Sequence, residues 1–371
     1  MTSQRSERIL EYSAPISVFL NLTQQCNMRC VYCSAEAVRP CREGNGELSD
    51  GELIGLVDLL VEARVFNYIL TGGEPLLRRD LLFRILERLP AWSSATLLTN
   101  GSLITDDDAR RLAGFRNLSG VAVSIDAPTE ESNAQTRGRG FLARTLRGAM
   151  RLIDQGITPA VNCVMSRTNQ HLLPELVQLL KDRGFRRLYV IHVHPFGRGK
   201  EQESLSLGCR ERLAVSRKIV ELAAREQDFK IVLEDEPWIG LEAAACRLRG
   251  SDRGPARLLP CSAGVEQCTI SADGWVAPCN AMSEYRCGNV REQDFLTIWR
   301  ESPRLKAMRE LRSTPVTAVS ECSACELNRL CRGGCRALAF AASGDLLGFD
   351  PTCPFREDEK GRLRKPLPVI H

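Results

Sequence analysis

The sequence predicts an α/β fold of six parallel βα units, forming a sheet or partial barrel, followed by a small metal-stapled domain. Three observations predict it. From residue 16 to about 194, short β-rich apolar runs alternate with amphipathic helical stretches, the pattern of a parallel sheet covered by helices. From Cys261 to Cys353 the composition changes to closely spaced cysteines among Gly and Pro, which suits a domain held by metal better than one held by a large core. A chain of 371 residues with 43% hydrophobic content has material for one large core and one small one.

Strands are expected at 16–22, 68–71, 95–98, 121–125, 160–165 and 187–191. The first helix is the best marked: Ser49 and Glu52 form a capping-box pair, and Leu53, Leu56, Val57, Leu60 and Val61 recur at helical spacing. Further helices are expected at 80–89, 106–113, 141–154 and 173–183, each between two strands. An arm (1–15) precedes this barrel unit (16–200). A charged bridging segment (201–260) carries Glu234, Asp235 and Glu236, and the cysteine-rich domain (261–356) is followed by a basic tail (357–371).

The bulk numbers exclude several classes. A formal net charge of +4 from 50 basic and 46 acidic residues leaves no electrostatic footprint for nucleic acid. There is no run of 18 apolar residues, and Met1 to Glu11 is polar, so neither a membrane span nor a secretory signal is expected and the protein is placed in the cytoplasm. Sixteen cysteines in a reducing compartment point to metal ligation and not to a disulfide framework.

Directly after the first strand comes Cys26-Asn-Met-Arg-Cys30-Val-Tyr-Cys33. Three thiolates on one short loop can hold three corners of an iron-sulfur cube and leave the fourth iron open. A zinc site would need a fourth nearby ligand, and only Cys41 is within reach in sequence. This loop resembles the signature of the radical S-adenosylmethionine (SAM) superfamily, and the following motifs resemble the same family in the same order over nearly the whole chain. Thr71-Gly72-Gly73-Glu74-Pro75, at the end of the second strand, resembles the glycine-rich motif whose backbone and carboxylate receive the SAM amino group. Ser124 and Asp126, at the end of the fourth strand, resemble the ribose-contacting pair. Arg137 resembles the arginine that pairs with the SAM carboxylate, and Tyr32 the aromatic residue packing near the adenine, with Asn162 and Val164 as further contacts. Each also has a local reading, as a Gly-Pro turn, a strand-end cap or a surface ion pair.

Cys261-x6-Cys268-x5-Gly274-x4-Cys279, then Cys322-x2-Cys325-x5-Cys331-x3-Cys335 and Cys353, resembles the SPASM domain, which holds two auxiliary clusters. The implied fold is a partial (β/α)6 TIM-like barrel with a small iron-sulfur C-terminal SPASM domain. The resemblance implies SAM and three [4Fe-4S] clusters: one on Cys26, Cys30 and Cys33, one on Cys261, Cys268, Cys279 and Cys335, and one on Cys322, Cys325, Cys331 and Cys353. The family motif varies at Cys268, and without it the first auxiliary cluster would have an open iron. Cys41, Cys163, Cys209, Cys246 and Cys287 are left as small buried hydrophobes or incidental thiols. Of His192 and His194, alternation lets only one face the cavity.

The implied chemistry is reductive cleavage of SAM to a 5'-deoxyadenosyl radical that abstracts hydrogen, with flavodoxin or ferredoxin as electron donor. The acidic cluster is a source of a proton acceptor. The substrate expected first is a ribosomally made precursor peptide, crosslinked or oxidised with the help of a separate leader-binding protein, since the 261–274 stretch resembles enzymes of the mycofactocin and pyrroloquinoline quinone type. Arg332 to Cys353 also resembles haem-type tetrapyrrole side-chain oxidases or decarboxylases. A sulfatase maturase, and a non-catalytic iron-sulfur electron carrier, complete the alternatives.

Overall fold

The computed structural model describes residues 12–38, 46–234, 238–239, 241, 261–325 and 327–355. Cys41, Asp235, Glu236, Cys246 and the tail 357–371 lie outside the described residues. Seven parallel strands run side by side in chain order: β1 (Ser17–Asn21), β2 (Asn67–Thr71), β3 (Ser94–Thr99), β4 (Leu118–Ser124), β5 (Ala160–Met165), β6 (Arg187–His192) and β7 (Lys230–Leu233). The six expected strands are all present. The seventh, β7, comes from the segment read as a bridge.

Between the strands lie α1 (Asp50–Glu62), α2 (Arg79–Arg88), α3 (Asp106–Ala113), α4 (Glu130–Arg137), α5 (Phe141–Asp154) and α6 (Leu173–Asp182), with α7 (Cys209–Arg225) before β7. The Ser49/Glu52 capping box is formed at the start of α1. α4 has no counterpart among the expected helices: its eight residues, EESNAQTR, carry no apolar stripe, and it stands on a Thr129 cap in which the Thr129 side chain accepts the Ser132 N–H.

The C-terminal domain is not separate from the sheet. β8 (Gln267–Ile270) pairs parallel with β1, placing Cys268 opposite Val18, and β9 (Trp275–Ala277) and β10 (Gly288–Asn289) extend it antiparallel, giving the order β10-β9-β8-β1-β2-β3-β4-β5-β6-β7. A parallel sheet of this kind needs both faces covered. One core, including Leu20, Leu53, Val57, Phe83 and Cys268, packs α1, α2 and α3 on the β1 side; a second, including Val161, Leu176, Val190 and Ile219, packs α5, α6 and α7 on the other. The helices α8 (Phe295–Glu301), α9 (Pro303–Glu310) and α10 (Arg336–Ser343) frame a smaller core around Val265, Met308 and Leu338, with Cys279, Cys322 and Cys335 at its margin. Among the described residues no helix is long and apolar enough to cross a membrane.

Candidate active site

The loop after β1 is clamped at the carboxyl ends of the strands, where parallel α/β folds gather their ligands. Cys26 N–H donates to Val38 O at 2.7 Å, Val38 N–H to Gln24 O at 2.8 Å, and Val31 N–H to Thr136 O at 3.0 Å. From β6's side, Arg198 donates through Nε to Cys30 O at 3.0 Å and through Nη1 to Ala37 O at 2.8 Å. The sulfurs are aimed at by donors: Met28 N–H lies 3.3 Å from Cys26 Sγ, Asn100 Nδ2 3.9 Å from it, and Arg137 Nη1 3.9 Å from Cys30 Sγ. Burial, then the nearby Glu74, Cys30 and Cys33 charges, push the Cys26 thiol up to about 11. Three half-buried or buried sulfurs on one loop, two of them with donors directed at them, suit iron-bound thiolates.

Gly72 and Gly73 are required by close approach. A Cβ at Gly72, where φ is +139°, would fall 2.4 Å from Thr23 O, and one at Gly73 would fall 2.1 Å from Gln25 O. In return Gly73 N–H donates to Thr23 O at 2.6 Å and Glu74 N–H to Gln25 O at 2.8 Å, so the motif holds the cysteine loop. The Glu74 carboxylate is turned inward at 0% exposure. It accepts from Thr99 Oγ1 at 2.6 Å, Asn100 N–H at 2.8 Å and Leu76 N–H at 3.1 Å. Thr71, Gly72 and Gly73 line the main cavity and Glu74 does not.

Asp126 is likewise withdrawn. At 2% exposure it accepts from Arg137 Nη2 at 2.9 Å, Val164 N–H at 3.0 Å, Thr136 Oγ1 at 2.7 Å and the Tyr32 hydroxyl. Four donors leave it no free lone pair facing a ribose. Arg137 sits over the Tyr32 ring at 5.6 Å from its centroid. Burial raises the Tyr32 hydroxyl's pKa, keeping it a donor. The expected SAM contacts Tyr32, Ser124, Arg137, Asn162 and Val164 do line the cavity. His192 and His194 both line it too: residues two apart along a strand share a face, so the expectation that only one of them faces the cavity is corrected.

This cavity, of about 580 Å³, is lined by Cys26, Cys30 and Cys33 and also by Cys279. A second cavity of about 590 Å³ shares Ser34, Ala35, Gly72, Gly73 and Asn280 with it and opens toward Trp275 and Arg286. Beyond, a pocket of about 290 Å³ is lined by Cys322, Cys325, Cys331 and Cys353 together with Trp238 and Phe355. A cavity walled by the four cysteines that the resemblance groups together fits a cluster with complete thiolate ligation. Of the other four, Cys261, Cys279 and Cys335 lie near one another: burial, then the charges of Cys335 and Cys261, push the Cys279 thiol up to about 12. Cys268 does not join them; it is 0% exposed in the core beneath α1 and β1.

Comparisons with known proteins follow this geometry. Residues 20–168 match the family model of the radical SAM superfamily, and residues 261–326 that of the SPASM iron-sulfur cluster-binding domain. The AdoMet-dependent heme synthase of Methanosarcina barkeri is 30% identical over 94% of this chain and 99% of its own length. The chain belongs to the radical SAM superfamily. The mycofactocin maturase of Mycobacterium ulcerans is 29% identical, covering 92% of this chain and 88% of that protein. Among solved structures, Streptococcus suis SuiB bound to its precursor peptide SuiA superposes with a TM-score of 0.72 at 18% identity, covering 91% of this chain and 75% of SuiB, a likeness of fold. SAM binding and iron-sulfur clusters follow for this radical SAM protein from the two matched domains.

Sequence reasoning passed over Asn100 and Arg198. Asn100 follows β3 in the run Thr99-Asn100-Gly101, a polar residue at a strand's carboxyl end, which is the signal that could have found it. It links Cys26 Sγ to Asn27 Oδ1, the latter at 2.8 Å. No local pattern marks Arg198, whose targets lie 168 and 161 positions away.

Proposed function

We propose that this radical SAM/SPASM protein is an oxidoreductase that abstracts hydrogen from a substrate held in the cavity between the Cys26–Cys33 loop and Cys279. The observation that carries the reading is that one cavity has both on its walls: the group that starts the reaction and a group that can take up an electron border the same space. When bound to the three thiols, the first cluster supplies the electron, from flavodoxin or ferredoxin, that cleaves SAM to a 5'-deoxyadenosyl radical able to take a hydrogen atom from the substrate. The chain's own part is to hold and exclude. Arg137, fixed by Asp126, presents its guanidinium beside Cys30, where a ligand's carboxylate can pair with it. Tyr32, Ser124, Asn162 and Val164 form the wall on which an adenosyl group rests, and the surrounding fold keeps the reacting carbon close and water out. Cys261, Cys279 and Cys335 would hold the first auxiliary cluster, and Cys322, Cys325, Cys331 and Cys353 the second, three clusters in all in a cytoplasmic enzyme.

Two substrate classes share this machinery. Oxidation or decarboxylation of a haem-type tetrapyrrole side chain is the reading we favour, supported by the 30% identical heme synthase that this chain spans almost completely. Crosslinking or oxidation of a precursor peptide, with a separate leader-binding protein, is supported by the mycofactocin maturase at 29% identity. The test is anaerobic turnover of the reconstituted enzyme with SAM and dithionite. An iron porphyrin bearing propionates should lose CO2 and two hydrogens per side chain, matched by 5'-deoxyadenosine. Loss of two hydrogens from the peptide encoded beside the gene, with the porphyrin unchanged, would replace the first reading by the second.

A further inference from the structure

Trp238 comes from the segment after β7 that the sequence marks as a bridge, and it is 2% exposed. Its ring packs with Leu213, Leu327 and Phe355, and Cys325, Cys331 and Cys353 lie against the same small core. Phe355 meets it edge-on, with ring centroids 6.2 Å apart and planes at 78°. Gly334, in the run between Cys331 and Cys335, makes room for it: φ there is +74°, and a Cβ would fall 2.8 Å from Trp238 Cη2. The cysteine-rich domain is thus built around this ring. Together with Cys322, Cys325, Cys331 and Cys353 it lines the cavity of about 290 Å³.

An indole has one polar group, an N–H that only donates and that finds a partner in most buried tryptophans. Trp238 Nε1 is buried, and no atom of the described residues accepts from it. The polar side chains around the cavity are engaged elsewhere. Asp350 Oδ2 accepts Cys335 N–H at 2.7 Å, and its Oδ1 accepts Thr352 N–H at 2.8 Å and the Thr352 hydroxyl at 2.7 Å. Glu321 Oε2 accepts from Ser320 Oγ at 2.7 Å, and Asn328 Nδ2 donates to Ser323 O at 3.2 Å. A buried donor without an acceptor is strongly disfavoured. Sulfur is the acceptor that the walls of this cavity supply.

We propose that the Trp238 indole N–H donates a hydrogen bond to a sulfur of the second auxiliary cluster and so raises that cluster's reduction potential. The proposal rests on the reading that Cys322, Cys325, Cys331 and Cys353 hold a cube. A cube that gains one electron carries more negative charge on its sulfurs, and a fixed donor stabilises that state more than the oxidised one. Glu234 lines the main cavity and Trp238 the smaller one, four positions further along the chain. One short stretch thus borders both the space where the substrate is oxidised and the cluster whose affinity for an electron Trp238 sets.

The experiment uses the full chain with Cys26→Ala, Cys30→Ala and Cys33→Ala, which leaves the two auxiliary cubes in view. After anaerobic reconstitution about eight irons and eight sulfides are expected, and electron paramagnetic resonance at controlled potentials reads the midpoint of each cube. Trp238→Phe keeps an aromatic ring and removes the N–H. It should retain the iron and move one midpoint negative by about 59 mV, an about tenfold loss in the one-electron reduction constant, while the other midpoint stays. Electron-nuclear double resonance of the reduced protein, before and after exchange into D2O, should show that the variant has lost one exchangeable proton coupled to that cube. If the smaller ring lets iron go, 3-benzothienylalanine at position 238, the same bicycle with sulfur in place of N–H, gives the same comparison. Unmoved midpoints with about eight irons retained, or an unchanged set of exchangeable couplings, would overturn the hydrogen bond and leave the cluster reading standing. About four irons before position 238 is touched would instead overturn the two-cube reading, and the acceptor with it.

Discussion

Replacing Asp126 by Asn isolates the buried charge pair at the centre of the site. Asp126 is 2% exposed and Arg137 6%, and they meet at 2.9 Å. Removing one charge of such a pair leaves the other desolvated and alone, which costs about 3–5 kcal/mol. The loss is not confined to the ion pair, because the same carboxylate holds the Tyr32 and Thr136 hydroxyls and the Val164 N–H, and an amide cannot accept at both of its atoms. Urea unfolding under anaerobic conditions should therefore put Asp126→Asn about 3–5 kcal/mol below wild type. The double variant Asp126→Asn with Arg137→Met should be more stable than Asp126→Asn alone, since it leaves no orphaned charge while the amide oxygen still accepts from the remaining donors. Asp126→Asn within about 1 kcal/mol of wild type, the value of an exposed pair, would refute the buried-pair account. So would a double variant equal to the sum of two large single losses, since coupled neighbours do not add.

Other consequences are open to measurement. Gly73→Ala should destabilise the chain by about 1–3 kcal/mol and lower the iron held by the Cys26–Cys33 loop, because its Cβ would lie 2.1 Å from Gln25 O; iron analysis and unfolding report both. Hydrogen bonds from Arg291, then those of the Ser49 cap, hold the Glu52 carboxyl down at about 2. A lowered folded pKa stabilises above the unfolded carboxyl value and is lost as pH falls, so the difference in urea midpoint between wild type and Glu52→Gln should be full above about pH 5 and vanish toward about pH 2. A gap that persists unchanged at the acid end would contradict this. Arg336, 1% exposed, puts its positive charge near Cys322, Cys331 and Cys335. Arg336→Gln should move the midpoint potentials of the auxiliary clusters negative, as removing a buried cation disfavours the added electron, and Arg336→Lys should restore them in part; potentiometry reads the shift.

The barrel was legible because its signals are local. The alternation of apolar runs marked six strands within a residue or three of where they stand, and the Ser49/Glu52 pair marked the start of α1. Three features were not. β7 follows a charged stretch with nothing to set it apart, α4 lacks an apolar stripe, and the docking of β8 against β1 is a pairing of residues some 250 positions apart, invisible to any window. At the site, the sequence carries residue type but not direction. Sequence places Glu74 and Asp126 at strand ends, where ligands gather, but whether such a carboxylate faces the cavity or turns under the loop is decided by donors from elsewhere: Thr99 and Asn100 for one, Tyr32, Thr136 and Arg137 for the other. The same holds for Cys268, whose spacing admits it to a cluster while its strand register turns it into the core.

On the proposed reading, hydrogen abstraction starts at the Cys26–Cys33 loop and is completed in the cavity shared with Cys279. It is tested most directly by following 5'-deoxyadenosine and product together in anaerobic single-turnover reactions of the wild type, the Cys26→Ala/Cys30→Ala/Cys33→Ala variant and Cys279→Ala. The expected result is both species from wild type, neither from the triple variant, and 5'-deoxyadenosine without the oxidised product from Cys279→Ala. Undiminished product from Cys279→Ala, or 5'-deoxyadenosine from the triple variant, would contradict it.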